Sequence, residues 1–136
     1  MALRLHHMGF VVTDIATAMP AFTRSMAAEW DGQIIEDPSQ RVKVAFMTTR
    51  AGDAQIELVQ PVGEGSPVAR FLQQGGGMHH LCYEVADLEA ELATFRSRGA
   101  AIASRPKPAV AFGGRRIAWV ITAEKFLVEL LEEKLG

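Results

Sequence analysis

The sequence predicts an α+β protein made of two tandem β-α-β-β-β units, and three observations carry that prediction. The first is a run that occurs twice, Leu5-His6-His7-Met8-Gly9-Phe10-Val11-Val12 near the start and Met78-His79-His80-Leu81-Cys82-Tyr83-Glu84-Val85 near the middle. The second is register: His7, Val12, Asp14 and Phe22 return 73 positions later as His80, Val85, Asp87 and Phe95. The third is an acidic residue inside a late apolar run of each copy, Gln55-Ile56-Glu57-Leu58-Val59 and Leu127-Val128-Glu129-Leu130-Leu131. Glu57 follows His7 by 50 positions, and Glu129 follows His80 by 49.

The length of 136 residues fits one domain, 1–136. Its repeats, about 4–62 and 77–134, are each too small to be stable singly and are expected to share a core. Residues 5–12 and 79–85 are short apolar runs ended by polar residues, which reads as a strand in each copy. A helix follows each. Asp87 is an N-cap for 88–96, where Leu88, Leu92 and Phe95 fall on one face and Gly99 marks the end. Asp14 has the same role in the first copy, where Pro20 removes a backbone donor inside the helix and predicts a kink or a delayed start. Strands over roughly 31–36, 41–48 and 54–60 complete the first unit, and strands over roughly 101–104, 116–122 and 127–131 the second. Between them lies a linker helix of about 66–74, capped by Ser66 with Pro67 in its first turn. Gly75-Gly76-Gly77 then reads as a flexible connector, since no phosphate-binding context surrounds it.

Composition narrows the function. With 49% hydrophobic and 22% charged residues and a net charge of -2, the chain is a soluble globular type without the basic excess of a nucleic-acid binder. No apolar run approaches the roughly 20 residues of a membrane span, and Met1-Ala2-Leu3-Arg4 leads into the first repeat without a secretory apolar region. No membrane partner and a cytoplasmic location are the expectations. The single cysteine, Cys82, has no internal disulfide partner and reads as a buried structural thiol.

Strand alternation separates the histidines. His6, Met8, Phe10 and Val12 share one face, as do His79, Leu81, Tyr83 and Val85; these sets suit packing against helices. His7 and His80 fall on the opposite faces as a matched, cavity-facing pair, leaving His6 and His79 structural. An ionised carboxylate in an apolar run is costly to bury unless it pairs or binds a metal, which makes Glu57 and Glu129 partners for those imidazoles. A site of His7, Glu57, His80 and Glu129 suits one divalent ion among Ni, Co, Mn, Fe and Zn. Four ligands on an octahedral ion leave two positions for substrate oxygens, so that the metal stabilises an enolate next to a carbonyl. The segment 105–116 carries four cationic side chains. Arg115 and Arg116 are its candidate substrate-binding residues, suited to a carboxylate or phosphate, and Val110 and Phe112 are candidates for a pocket mouth.

At these residues the chain resembles the vicinal oxygen chelate superfamily, which includes glyoxalase I, extradiol dioxygenases, bleomycin resistance proteins and methylmalonyl-CoA epimerase. The resemblance covers nearly the whole chain. It is closest to the epimerases through Ile56-Glu57-Leu58-Val59-Gln60-Pro61, Ser66-Pro67-Val68-Ala69-Arg70-Phe71-Leu72 and Gly76-Gly77-Met78-His79-His80-Leu81-Cys82-Tyr83-Glu84-Val85. It implies paired βαβββ modules in a half-open mixed β-barrel around a divalent metal, with His7, Glu57, His80 and Glu129 at the motif positions, and a homodimer. The implied activity is that of an isomerase (epimerase) or lyase that abstracts a proton alpha to a metal-chelated carbonyl. Its substrate would be a small acyl thioester or a 2-oxo or 2-hydroxy acid derivative. In glyoxalase I a ligand Glu leaves the metal and shuttles the proton, which gives Glu57 and Glu129 a catalytic role by resemblance. One departure stands out. Where the epimerases carry a Glu base before a Gly-Val step, Ser39 or Gln40 stands here; the nearby Glu36 and Asp37 are expected to be solvated turn residues, and either replaces that base only if the loop bends inward. The alternative reading is a non-catalytic binding or resistance protein of the same fold. Such binders usually lack the complete metal set, and the fourth ligand, Glu129, disfavours a dioxygenase.

Overall fold

Alternation along the first strand decides what the first unit can build. The structure, a computed structural model, describes residues 3–49 and 53–134. Its elements in the first part of the chain are β1 (Arg4–Val11), α1 (Ile15–Ser25), β2 (Ala28–Trp30), β3 (Ile35–Asp37), β4 (Val42–Thr49), β5 (Gln55–Pro61) and α2 (Ala69–Gln73). They are followed by β6 (Gly77–Val85), α3 (Leu88–Ser97), β7 (Ala101–Pro108), β8 (Arg116–Ile121) and β9 (Leu127–Glu132). The chain divides into two compact units, His7–His79 and a discontinuous one formed by Met1–His6 with His80–Gly136. Among the described residues no helix is long and apolar enough to cross a membrane.

In His7–His79 the strands follow the order β2-β4-β5-β1, with β3 also paired to β4. β1 runs parallel to β5 and β4 antiparallel to it, so the sheet is mixed and open. Ile15 and Met19 of α1 pack on Ala28, Ala45, Met47, Ile56 and Leu58, joined by Met8, Phe10 and Phe22. Burying the Ile, Leu, Met and Phe side chains among them stabilises by about 1.5–3 kcal/mol each relative to exposure. Because successive side chains alternate, this helix-side core sends His7, Glu57 and Phe46 to the opposite face. The first helix is capped as expected, with the Asp14 carboxylate accepting from the Thr17 amide at 2.9 Å. It starts directly after Asp14 and runs through Pro20, so the proline does not delay it. Pro20 is exposed, where water can meet the carbonyl that loses its donor.

Three local expectations change. The strand expected over 31–36 is confined to β3 at its end, a further short strand, β2, lies just before it, and both pair with β4. Gly32 at φ +86° breaks the ladder, and the Gln33 amide donates to the Asp31 carboxylate at 2.9 Å in a side-chain turn. The linker helix is only Ala69–Gln73. Val68 occupies its cap position without a side-chain bond, while Ser66 Oγ accepts from the Val68 amide at 3.4 Å in the preceding turn. The glycine run is a fixed turn rather than a flexible connector. The Gly75 and Gly76 amides close the helix end on the Leu72 and Phe71 carbonyls, Gly76 has φ +67°, and a Cβ there would lie 2.8 Å from the Val11 carbonyl oxygen.

The second unit repeats the plan with the order β6-β9-β8-β7. β6 is parallel to β9, and β8 is antiparallel to β9. Asp87 accepts from the Ala90 amide at 3.0 Å, and Leu88 and Leu92 of α3 pack on Val85, Ala118, Val120, Val128 and Leu130. The last outer strand is longer than expected. β7 continues to Pro108 through two register shifts against β8, and an edge position with bulges tolerates Pro106 and Pro108. A single 3₁₀ turn, Val110–Phe112, follows, and Ala109 and Phe112 pack on Cys82, Ile117 and Leu131. The segment after Lys107 therefore turns partly inward, while Val110 itself is exposed.

Candidate metal centre

Each compact unit sets one imidazole beside one carboxylate. In His7–His79, His7 Nε2 lies 3.3 Å from Glu57 Oε1. In the other unit, His80 Nε2 lies 3.4 Å from Glu129 Oε1. The parallel registers explain the equivalence. Gly9 stands opposite Glu57 and Cys82 opposite Glu129, so in each case a small residue faces the carboxylate and the histidine two positions earlier lies diagonal to it. Both histidines lie on the strand face away from the helices, as alternation predicts, and both are buried, His7 completely. Glu57 is 5% and Glu129 3% exposed, each between buried aliphatic neighbours.

Buried carboxylates in such surroundings need a compensating charge or hydrogen bonds. Two ligands bound at about 2.0–2.2 Å to one ion lie about 2.8–3.6 Å apart for angles between a right angle and a tetrahedral one. Both observed separations fall in that range, and an imidazole nitrogen with a carboxylate oxygen is a donor pair for a borderline divalent ion. Each pair thus fits one half of a metal centre.

Each half has a third member that the strand pattern alone does not reveal. Phe46 on β4 stands opposite Glu57, and its ring meets His7 edge-on at 5.6 Å. Trp119 on β8 stands opposite Glu129 and meets His80 edge-on at 4.8 Å. The signal was present, since 73 positions also separate Phe46 from Trp119. An aromatic residue within a strand reads first as core, and nothing in the strand pattern alone distinguishes the two.

The remaining candidates have their own places. His6 packs edge-on against Phe112 and His79 against Phe71, in keeping with structural roles. Cys82 is fully buried. Arg115 donates through Nε to the Glu132 carbonyl at 2.8 Å and pairs with the Glu84 carboxylate, which Arg4 also contacts. Arg116 bonds the Glu132 carboxylate at 2.6 Å and Glu89 at 2.9 Å. Both guanidiniums therefore carry counter-ions within their own unit. Burial by itself pushes the Glu84 carboxyl up, and the hydrogen bonds and charges of Arg115 and Arg4 outweigh it and hold the group below the ordinary range. The hydrogen bond from Arg116 holds Glu132 down as well, and the guanidinium is correspondingly raised.

Asp37 corrects an expectation. It is 1% exposed rather than solvated, while Glu36 is exposed. The Asp37 carboxylate replaces water with turn donors: the Ser39 amide at 3.1 Å, the Ser39 hydroxyl at 2.8 Å, the Gln40 amide at 3.2 Å and Gln40 Nε2 at 3.3 Å. The residues that stand near the epimerase base position are thus bound to this buried carboxylate.

With this geometry in view, comparison with known proteins is specific. The family model of the Glyoxalase/Bleomycin resistance protein/Dioxygenase superfamily matches residues 6–119. An ethylmalonyl-CoA/methylmalonyl-CoA epimerase of Cereibacter sphaeroides is 34% identical over 119 residues, which cover 86% of this chain and 87% of the relative. The solved structure of a hypothetical protein from Bacillus halodurans C-125 is 31% identical with a TM-score of 0.86, covering 100% of this chain and 98% of that one. Methylmalonyl-CoA epimerase from Mycobacterium tuberculosis is 26% identical with a TM-score of 0.83, covering 97% and 89%. The duplicated β-α-β-β-β plan and the extent of the match agree, and the chain belongs to the Glyoxalase/Bleomycin resistance protein/Dioxygenase superfamily.

Proposed function

We propose that this protein is a divalent-metal-dependent epimerase acting on a small acyl thioester of the methylmalonyl-CoA type, with His7, Glu57, His80 and Glu129 as the ligands of one ion. The observation that carries the reading is the buried His–Glu pair repeated in both units, and the 34% identity to an ethylmalonyl-CoA/methylmalonyl-CoA epimerase supports the substrate class. When bound, the ion supplies Lewis-acid polarisation that acidifies a carbon next to a carbonyl. The chain's own groups do the rest. His7 and His80 supply neutral nitrogen donors, while Glu57 and Glu129 are the carboxylates assigned to take the proton from the carbon alpha to the thioester and return it. A carboxylate does this only within hydrogen-bond reach of that carbon's proton.

Arg115 and Arg116 are assigned to an anionic end of the substrate. Glu84, Glu89 and Glu132 already neutralise them, so this binding is an exchange of counter-ions. Asp37 is not assigned as the second base, because turn donors occupy both of its oxygens. A homodimer and a cytoplasmic location complete the reading; the reduced, buried Cys82 suits that compartment.

Metal analysis and proton exchange test the proposal. Purified, reconstituted protein should hold about one divalent ion per chain, and methylmalonyl-CoA should take deuterium at its alpha carbon in heavy water. A chain that retains no metal after reconstitution rules out the centre. Stoichiometric metal and thioester binding without exchange would instead identify a binding protein of the same superfamily.

A further inference from the structure

The duplication extends past the four proposed ligands to the ring beside each imidazole. His7 and His80 sit on strands, and the broad, roughly two-fold torsion of an imidazole leaves the direction of Nε2 undefined unless neighbours hold the ring. In each unit one aromatic side chain occupies the strand position opposite the ligand carboxylate and faces the imidazole at a steep angle, 75° for Phe46 with His7 and 81° for Trp119 with His80. A ring there obstructs rotation that would turn Nε2 away from Glu57 or Glu129. We propose that Trp119 and Phe46 are positioning residues that hold His80 and His7 in their ligating orientation and thereby set the affinity for the divalent ion. This rests on the metal reading above.

The two halves are unequal in this respect. Trp119 is the larger ring and approaches to 4.8 Å, against 5.6 Å for Phe46, so His80 is held more firmly than His7. Truncation of Trp119 should therefore weaken the site more than truncation of Phe46. Trp119 also provides a direct readout, since the only other tryptophan is Trp30, packed on the core of the other unit. In a Trp30→Phe background, the indole emission comes from Trp119 alone.

The experiment is a calorimetric titration of metal-free protein with Ni²⁺, alongside a fluorescence titration of the Trp30→Phe protein with Co²⁺. Trp119→Ala should weaken Ni²⁺ binding by about 10- to 100-fold, the range for residues that orient a ligand. Phe46→Ala should weaken it less, Trp119→Phe should recover most of the affinity, and Co²⁺ should quench Trp119 in a saturable one-to-one manner. Thermal melts of the metal-free variants establish that each is folded; if Trp119→Ala is not, Trp119→Leu, which keeps apolar bulk without a ring, takes its place. Unchanged Ni²⁺ affinity in the ringless variant, or a Trp119→Phe protein as weak as the ringless one, overturns the positioning role. A wild-type protein that binds no Ni²⁺ at all overturns the metal centre itself, so the two failures are distinguishable.

Discussion

Among the described residues of His7–His79, Asp14, Asp31 and Asp37 serve as local acceptors, on Thr17, on Gln33 and on Ser39 with Gln40. In the other compact unit Asp87 caps a helix in the same way, but Glu84, Glu89 and Glu132 join guanidiniums that lie 16 to 80 residues away along the chain. Similar His–Glu–aromatic arrangements are thus carried by scaffolds secured differently. In the first, those carboxylates make short-range bonds to amides and hydroxyls, whose strength varies little with salt. The second adds charge pairs that join separate strands and respond to both acid and salt. A duplication can preserve the chemistry of a site while the framework around it diverges.

The largest expected effect tests whether the two halves contribute equally. Glu57→Gln and Glu129→Gln should each abolish metal retention and lower alpha-proton exchange by at least about 100-fold, as loss of a proton-transferring group does. Full exchange in either variant would mean that one half alone carries the reaction. Next comes the core. Leu58 and Leu130 are both fully buried, one in each unit, and Leu→Ala at either should cost about 2–5 kcal/mol in denaturant unfolding. A large cost at one and almost none at the other would show that the units do not unfold together.

Smaller effects address the divergent frameworks. Asp37→Ala removes the acceptor for four turn donors and should destabilise by about 1–3 kcal/mol, with hydrogen exchange accelerated first at Ser39 and Gln40. The smallest expected effect is the pH response. Glu84 and Glu132 are held below the ordinary carboxylate range, so their contribution is complete above the unfolded value of about 4.3 and is lost as pH falls through the lower folded values. Thermal melts below pH 4.3 should show an acid limb that Glu84→Gln flattens and high salt weakens. An acid limb unchanged by Glu84→Gln would place the acid sensitivity outside this ion-pair network.

Much of this organisation was legible because duplication made the sequence its own comparison. The 73-residue register paired Asp14 with Asp87 as caps, and alternation separated His7 and His80 from His6 and His79. Phe46 and Trp119 share that same register but were not found, since a strand aromatic has the pattern of a core residue whatever its ring touches. The interruption at Gly32 depends on the local Asp31–Gln33 turn, which a strand over 31–36 leaves out. Asp37 looked solvated because the donors that replace its water arise only when the turn closes. The partners of Arg115 and Arg116 were out of reach for another reason: Glu84, Glu89 and Glu132 come near them only through strand and helix packing.

The boundary between the compact units falls between His6 and His7 and again between His79 and His80, inside β1 and β6. The unit His7–His79 is continuous, so its contacts can form once that stretch has left the ribosome, in keeping with the tendency of a growing chain to fold from its N-terminal side. Met1–His6 precedes that stretch but belongs with His80–Gly136, which follows it, and contacts so distant in sequence form slowly. The His7–Glu57 pair is therefore available to a nascent chain, whereas the His80–Glu129 pair is completed only after β9 has been made. The two imidazole–carboxylate pairs therefore form in sequence, the pair in His7–His79 before the pair in the discontinuous unit.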